Sequence, residues 1–485
     1  MRYKNFIGGR WLSPNSAEYF DSKDPHTLKS IGQFPKSNAK DVQKAIDAAA
    51  KAFPAWSKVP APKRGQILLR FANLLKENKE RLSKIMTREM GKVLNEARGD
   101  VQEAIDIAEY MAGEGRRLFG HTTPSELPDK FCMTMRIPLG VVAIITPWNF
   151  PVAIPAWKIM PALICGNTVV FKPSSDSPLC ALEMIKLLDK AGVPKGVVNF
   201  VTGSGKTLGD VMLKSEVVRG VSFTGSVETG RYIAANAGLK KVGLELGGKN
   251  PVIVMDDANL DLAVEGILWG AFGTTGQRCT ASSRVIVHKK VKRALERKLV
   301  KRVKKLRLGS GLNKNTDVGP LVNKAAVEKS WKYSLIAKGQ GAKLLCGGKV
   351  AKMKGNYFEP TVFTNVKAVH RLAREEVFGP VLAIITVKSL KEAIKVANDI
   401  EYGLSSAIYT NDLRNAYKAM TELETGITYV NSSTIGAEVH LPFGGTKNTG
   451  NGTREAGIFG IEEMSDVKTI YVDYSGALQK AQDIK

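Results

Sequence analysis

The chain is poor in the residues that build cross-links and metal sites. Five cysteines, at positions 132, 165, 180, 279 and 346, are scattered through 485 residues without a CxxC pair, and five histidines form no spaced cluster. Disulfide frameworks and structural zinc sites need grouped ligands, so both are excluded and no metal is expected. No uninterrupted apolar run is long enough to span a bilayer, and Met1 to Leu12 lacks the apolar core of a secretory signal. A cytoplasmic chain with no membrane partner is expected. Internal repeats and low-complexity linkers are also absent. Two familiar phosphate-binding fingerprints fail on inspection. Gly225-Ser226-Val227-Glu228-Thr229-Gly230 is not GxGxxG, and Gly205-Lys206-Thr207 would complete a P-loop only if position 200 were glycine, where Phe200 stands. A nucleoside triphosphatase is thereby excluded.

Positive charge is in excess. Lys and Arg number 71 against 46 Asp and Glu, a formal net charge of +25, enough to raise the question of nucleic acid or an anionic membrane. The densest basic stretch runs from His288 to Arg307. Val291, Leu295, Leu299, Val303 and Leu306 recur there at helical spacing, so it reads as a helix with one core stripe and a basic solvent face. No nucleic-acid partner is expected; the charge favours anionic substrates and cofactor phosphates.

A length of 485 residues exceeds what one core supports, and 44% hydrophobic with 24% charged residues is the composition of a globular chain. Residues 37–118 read as helices: Ser37 or Asn38 can cap a run through Ala48 and Ala52, and Pro62 opens a long amphipathic stretch. From Gly140 short β-branched runs alternate with helices. Strands are predicted at Val141 to Ile145, Thr168 to Phe171, Val197 to Val201, Gly220 to Phe223 and Val242 to Leu246. A second series is predicted at Pro251 to Val254, Arg284 to Val287, Val381 to Ile385, Ser405 to Tyr409 and Gly426 to Val430. The fold class is α/β, with a parallel sheet wound by helices on both faces and ligands expected at the carboxyl ends of its strands.

Two residues carry candidate chemistry. Cys279 lies in the Gly-rich loop Thr274 to Ala281 beside Arg278, a setting that suits an activated thiolate and equally a buried structural thiol. Glu245, between apolar neighbours and before Gly247-Gly248, should be desolvated and hence a base near neutrality, although a lone glutamate there also reads as an ordinary strand end. The helix entry at Gly225-Ser226 offers free N–H groups and a hydroxyl for a pyrophosphate.

The segments TPWNFP (Thr146 to Pro151), SFTGS (Ser222 to Ser226), LELGGK (Leu244 to Lys249), GQRC (Gly276 to Cys279), EVFGP (Glu376 to Pro380) and PFGG (Pro442 to Gly445) stand in the order and spacing of the aldehyde dehydrogenase superfamily, which the chain resembles over nearly its whole length. The resemblance implies a Rossmann-type dinucleotide-binding domain (1–118 and 139–247), an α/β catalytic domain (248–449) and a small β oligomerisation element (119–138 and 464–485) that joins chains into a dimer or tetramer. It implies Cys279 as nucleophile, Glu245 as base, Asn149 with the Cys279 N–H as oxyanion donors, and Lys158 with Glu455 as a proton relay. Read without it, Asn149 is a helix cap ahead of Pro151 and Lys158 a surface lysine. For the cofactor it implies Ile145, Thr146, Pro147, Trp148, Lys172, Ser174, Ser175, Gly205, Phe223, Thr224, Gly225, Ser226, Leu246, Gly247, Glu376 and Phe378. For the substrate it implies Phe150, Trp157 and Arg278. Members that prefer NAD often carry glutamate three positions after the matching lysine; here Ser175 stands there, which points to NADP, or to use of both, with adjacent Asp176 acting against it. Arg278, and Gly273 where many members have an aromatic, point to a small polar aldehyde such as a semialdehyde or glyceraldehyde. A CoA-acylating relative and a non-catalytic dinucleotide-binding protein are the alternatives; Glu245 counts against the first, and the joint presence of Cys279, Glu245, Asn149, Lys172 and Glu376 against the second.

Overall fold

The computed structural model describes residues 1–482; the last three positions of the expected oligomerisation element, 483–485, lie outside the described residues. The first helix, Ala39–Trp56, is capped by Asn38, whose side chain accepts from the Lys40 and Asp41 N–H groups while Asp41 accepts from the Asn38 N–H. Ser37, the other candidate, instead accepts from Asn5 Nδ2 at 2.8 Å. Helix Ala61–Met90 carries Pro62 in its first turn and stops at left-handed Gly91. Helix Leu94–Glu114 packs along it.

These helices cover a seven-stranded sheet in the order Lys241–Glu245, Val218–Thr224, Val141–Ile145, Thr168–Lys172, Val198–Phe200, Asn5–Ile7, Arg10–Leu12. The first five strands are parallel, and the central pair Val141–Ile145 and Thr168–Lys172 is fully buried and rich in β-branched residues because both faces are covered. Strand Val141–Ile145 pairs with the next strand in sequence on one side and with Val218–Thr224 on the other. That reversal of direction opens a crevice at the carboxyl ends of the two strands, where Thr146-Pro147 and Thr224-Gly225 emerge.

The last two strands had no counterpart in the expected elements, and neither had the hairpin Tyr19–Lys23/Ser30–Pro35. Their strands are three to six residues long, too short for a periodic pattern. The turn Gly8-Gly9, with φ of 60° and 76°, was the available signal.

Past Glu245 the chain crosses into a second seven-stranded sheet, ordered Lys343–Cys346, Thr361–Thr364, Val381–Val387, Ser282–His288, Asn250–Val254, Ser405–Tyr409, Ile427–Val430. All its pairs are parallel except the one between Lys343–Cys346 and Thr361–Thr364, two strands also absent from the expectation. The basic helix Lys292–Val303 buries Leu295, Leu299 and Val303 against this sheet and leaves most of its charge in water. A third, antiparallel sheet joins Thr122–Pro124, Lys130–Pro138 and Ser465–Asp473, the last two in register over nine residue pairs. No helix among the described residues is long and apolar enough to cross a membrane.

Candidate active site

Helix Leu260–Phe272 ends at Gly273, and one 3-10 turn, Gly273–Gly276, leads to Cys279. Within it Thr274 and Thr275 adopt φ of 51° and 58°, left-handed values that cost a β-branched residue on the order of 1 to 3 kcal/mol. Hydrogen bonds from separate parts of the chain hold the turn. The Thr274 N–H donates to Glu96 Oε1 at 2.7 Å and the Thr275 hydroxyl to the Gly319 carbonyl at 3.0 Å. Gln277 is fully buried; its side chain donates to the Thr274 carbonyl and accepts from the Val322 N–H at 3.0 Å. Two glycines let neighbouring backbone close on the loop: a Cβ on Gly248 would stand 2.4 Å from the Cys279 carbonyl oxygen, and one on Gly276 2.5 Å from that of Gly379.

Asn149 is not a helix cap. The following helix, Ala153–Cys165, starts at Val152, and Asn149 Nδ2 donates instead to the Gln277 carbonyl at 3.1 Å, which ties the first sheet's crevice to the cysteine loop. The cysteine thiol is pushed up to about 12, by burial first and then by the carboxylates of Glu245 and Glu376; the N–H groups of Thr280 and of Cys279 itself act in the opposite direction. Arg278 does not supply the thiolate-favouring charge expected of it. Its guanidinium is engaged by the Thr274 hydroxyl at 2.9 Å and Glu96 at 3.5 Å, and lies 5.3 Å from the centre of the Phe150 ring.

Glu245 is buried and neither of its carboxylate oxygens has a partner. A Cβ on Gly444 of the PFGG segment would stand 2.5 Å from Glu245 Oε1, so the missing side chain makes room for the carboxyl group. Burial raises the Glu245 pKa well above the usual carboxylate range; Glu455 raises it further and Lys158 lowers it. Lys158 is fully buried rather than on the surface, where it pairs with Glu455 and donates to Ser222 Oγ at 2.9 Å. Glu463, which the sequence did not single out, sits beside this group with its pKa raised to about 7, chiefly by burial.

Three connected hollows surround these residues. A cavity of about 70 Å³ is lined by Cys279, Glu245, Glu455, Arg278, Phe150 and Trp157. A cleft of about 260 Å³ is lined by Cys279 and Asn149 together with Pro147, Trp148, Thr224, Gly225, Ser226, Leu246, Gly247, Glu376 and Phe378. A larger cleft of about 910 Å³ takes in Ile145, Thr146, Lys172, Ser174, Ser175, Gly205 and Phe223. The structure therefore brings together every candidate residue except Lys158, which stands one layer behind. Gly273 does not line the cavity; a Cβ there would meet Glu96 Oε1 at 3.1 Å, so its lack of a side chain says nothing about the substrate. Glu103 and Lys329 line the cavity and the middle cleft respectively and were missed, because helix periodicity does not tell which polar face meets a distant loop.

The clefts fit a dinucleotide. Helices Gly205–Lys214 and Val227–Asn236 point their N-termini at the large one, and the buried hydroxyls of Thr146 and Thr224 face it without partners. The Ser226 hydroxyl accepts from the Thr229 N–H at 3.3 Å and donates to the Thr229 hydroxyl at 3.0 Å. Lys172 is buried, donates to the Pro173 carbonyl at 2.6 Å, and has its pKa lowered by burial to about 8. Glu376 Oε1 accepts from the Gly248 N–H at 2.8 Å, and Trp148 meets Phe378 edge-on with ring centres 5.6 Å apart.

Comparison with known proteins agrees with this geometry. The model of the aldehyde dehydrogenase family matches residues 11–470. The chain is 40% identical to an alpha-ketoglutaric semialdehyde dehydrogenase of Bacillus subtilis, over 97% of this chain and 98% of the relative. It is 41% identical to an NADP(+) succinate-semialdehyde dehydrogenase of Escherichia coli, over 96% and 97%. Among solved structures, a betaine aldehyde dehydrogenase of Staphylococcus aureus in complex with NAD+ superposes with a TM-score of 0.96 at 36% identity, covering 98% of this chain and 96% of the other.

With its thiol raised so far, Cys279 in the cofactor-free protein should be alkylated by iodoacetamide at a rate that climbs about tenfold per pH unit from roughly pH 7 to 10, without a plateau. Peptide mass mapping of the alkylated site measures this; a plateau reached by about pH 8 contradicts it.

Proposed function

The chain is an NAD(P)-dependent member of the aldehyde dehydrogenase family, and from that premise we propose that it oxidises a short aldehyde carrying a distal carboxylate to the dicarboxylic acid, with NADP preferred. The position of Cys279 carries the assignment: it lines both the cleft that holds Glu376 and Trp148 and the cavity that holds Glu245 and Arg278. Arg278 suits a carboxylate because its planar fork of N–H donors is braced on two sides and faces the cavity with donors to spare. Relatives named for alpha-ketoglutaric, succinate and glutarate semialdehydes support the same class.

The Cys279 sulfur adds to the aldehyde carbon, its proton passing to water in the open cleft, and the carbonyl oxygen becomes an oxyanion. The Asn149 amide and the Cys279 N–H donate to that oxyanion. When bound, the oxidised nicotinamide accepts the hydride, and its positive ring favours the thiolate. Loss of hydride leaves a thioester on Cys279. Glu245 then takes a proton from water as the water oxygen attacks the thioester carbon, and the C–S bond breaks to release the acid and the thiolate. Burial raises the Glu245 pKa well above the usual carboxylate range, which makes it a stronger base than an ordinary surface glutamate. Its proton leaves through Glu455 and Lys158.

Lys172 and Ser175 line the large cleft together, and a serine there does not repel a 2′-phosphate. Asp176 lines the same cleft and acts against a 2′-phosphate, but it accepts from Asn323 Nδ2 at 3.2 Å and lies close enough to Lys172 to interact with its charge. Among the described residues the outer strand Ser465–Asp473 pairs on one edge alone and, with Lys130–Pro138, exposes Phe131, Met135, Val467 and Tyr471. Such an edge suits pairing with a second copy of the chain in a dimer or tetramer.

Glu245→Gln removes the base and one of the charges that raise the thiol. A burst of reduced cofactor of about one equivalent per active site followed by a stall is expected in stopped-flow absorbance, and steady turnover at the wild-type rate contradicts the role. Ser175→Glu should lower the NADP to NAD ratio of kcat/KM roughly tenfold or more; an unchanged ratio contradicts the cofactor assignment.

A further inference from the structure

Helix Leu94–Glu114 carries three acids, Glu96, Asp100 and Glu103, on one face at helical spacings of four and three. Two of them are engaged. Glu96 accepts from the Thr274 N–H at 2.7 Å and pairs with Arg278 at 3.5 Å, and Asp100 accepts from Lys92 Nζ at 2.9 Å and the Ala153 N–H at 2.7 Å. Glu103 has no hydrogen bond or ion pair among the described residues. It lines the cavity that contains the Cys279 sulfur and Arg278, so its carboxyl faces the space a substrate would fill.

The surroundings of Glu103 set its charge. Burial raises its pKa to about 7; Asp100 and, more weakly, Asp106 raise it further, while Arg278 and Lys92 lower it. Lys92 is already paired with Asp100 and lies over the Phe150 ring, 3.8 Å from its centre. Glu245 and Glu455 line the same cavity. A neutral carboxyl is a donor, and an ionised one only accepts.

Resting on the assignment of an acidic aldehyde as substrate, the geometry points to Glu103 as a specificity-determining residue that, in its neutral form, donates to the distal carboxylate gripped by Arg278 and, once ionised, repels it. The sign follows directly. Below about pH 7 Glu103 is neutral and both residues donate to the substrate. As pH rises through that value its negative charge faces the substrate's own, and KM for an anionic aldehyde climbs while KM for a neutral aldehyde of the same length does not.

The test is KM for succinate semialdehyde and for butanal at saturating NADP, at about pH 6 and about pH 8.5, in the wild type, Glu103→Gln and Glu103→Asp. In the wild type the ratio of the two KM values, anionic over neutral, should rise roughly tenfold between the two pH values. Glu103→Gln, isosteric and unable to ionise, should flatten the rise, and Glu103→Asp should restore it; a rise in Glu103→Gln equal to that of the wild type overturns the proposal. Comparing two substrates removes the part Glu245 plays in kcat, and comparing Glu103→Gln with the wild type removes any repulsion that Glu245, in the same cavity, adds for the anionic aldehyde. A wild type without preference for the anionic aldehyde at either pH overturns the Arg278 assignment and this proposal together, whereas a preference that ignores both pH and Glu103 overturns this proposal alone.

Discussion

At Thr274 and Thr275 the backbone turns left-handed against the preference of two β-branched side chains, and the cysteine five residues on is presented only while that turn is held. What holds it comes from distant parts of the chain: Glu96 from a helix packed beside the first sheet, Gly319 and Val322 from a loop of the second, and Asn149 from the crevice of the first. The strained loop thereby doubles as the joint between the two halves. Strain of this kind persists when its surroundings over-determine it. It places the sulfur where the nucleotide crevice meets the cavity with Glu245.

The electrostatics follow from that placement. A buried thiol and a carboxyl whose oxygens have no partners share one small hollow, so burial opposes charge on both. Each also disfavours ionisation of the other. The site at rest holds a protonated thiol beside a base whose proton affinity is raised toward neutrality. Behind it, Lys158 pairs with Glu455 and, together with Arg454 and Lys241, offsets the negative charge of several buried acids.

Much of the scaffold was legible in the sequence because parallel, doubly covered strands are continuous β-branched runs. Val141–Ile145 falls on the expected residues and Val381–Val387 starts on the expected one, while a strand such as Lys343–Cys346 carries no period to read. Within the site, spacing and motif marked Cys279 and Glu245, yet the roles of their neighbours depended on directions the sequence does not encode. Asn149 reads as a cap until the helix is seen to begin at Val152, and Arg278 reads as a thiol activator until its guanidinium is found against Glu96 and Phe150. Glu103 was invisible for the same reason: its helix shows acids at helical spacing, and only the packing reveals which face meets the loop.

One sulfur among five carries the acyl group. Mixing enzyme, NADP and an acidic semialdehyde, quenching in acid within a single turnover and mapping the peptides by tandem mass spectrometry tests it most directly. The account predicts an acyl group of the substrate's mass on the peptide containing Cys279, with Cys132, Cys165, Cys180 and Cys346 unmodified. Product formed with no acyl group on Cys279, or with one carried on another cysteine, would contradict it.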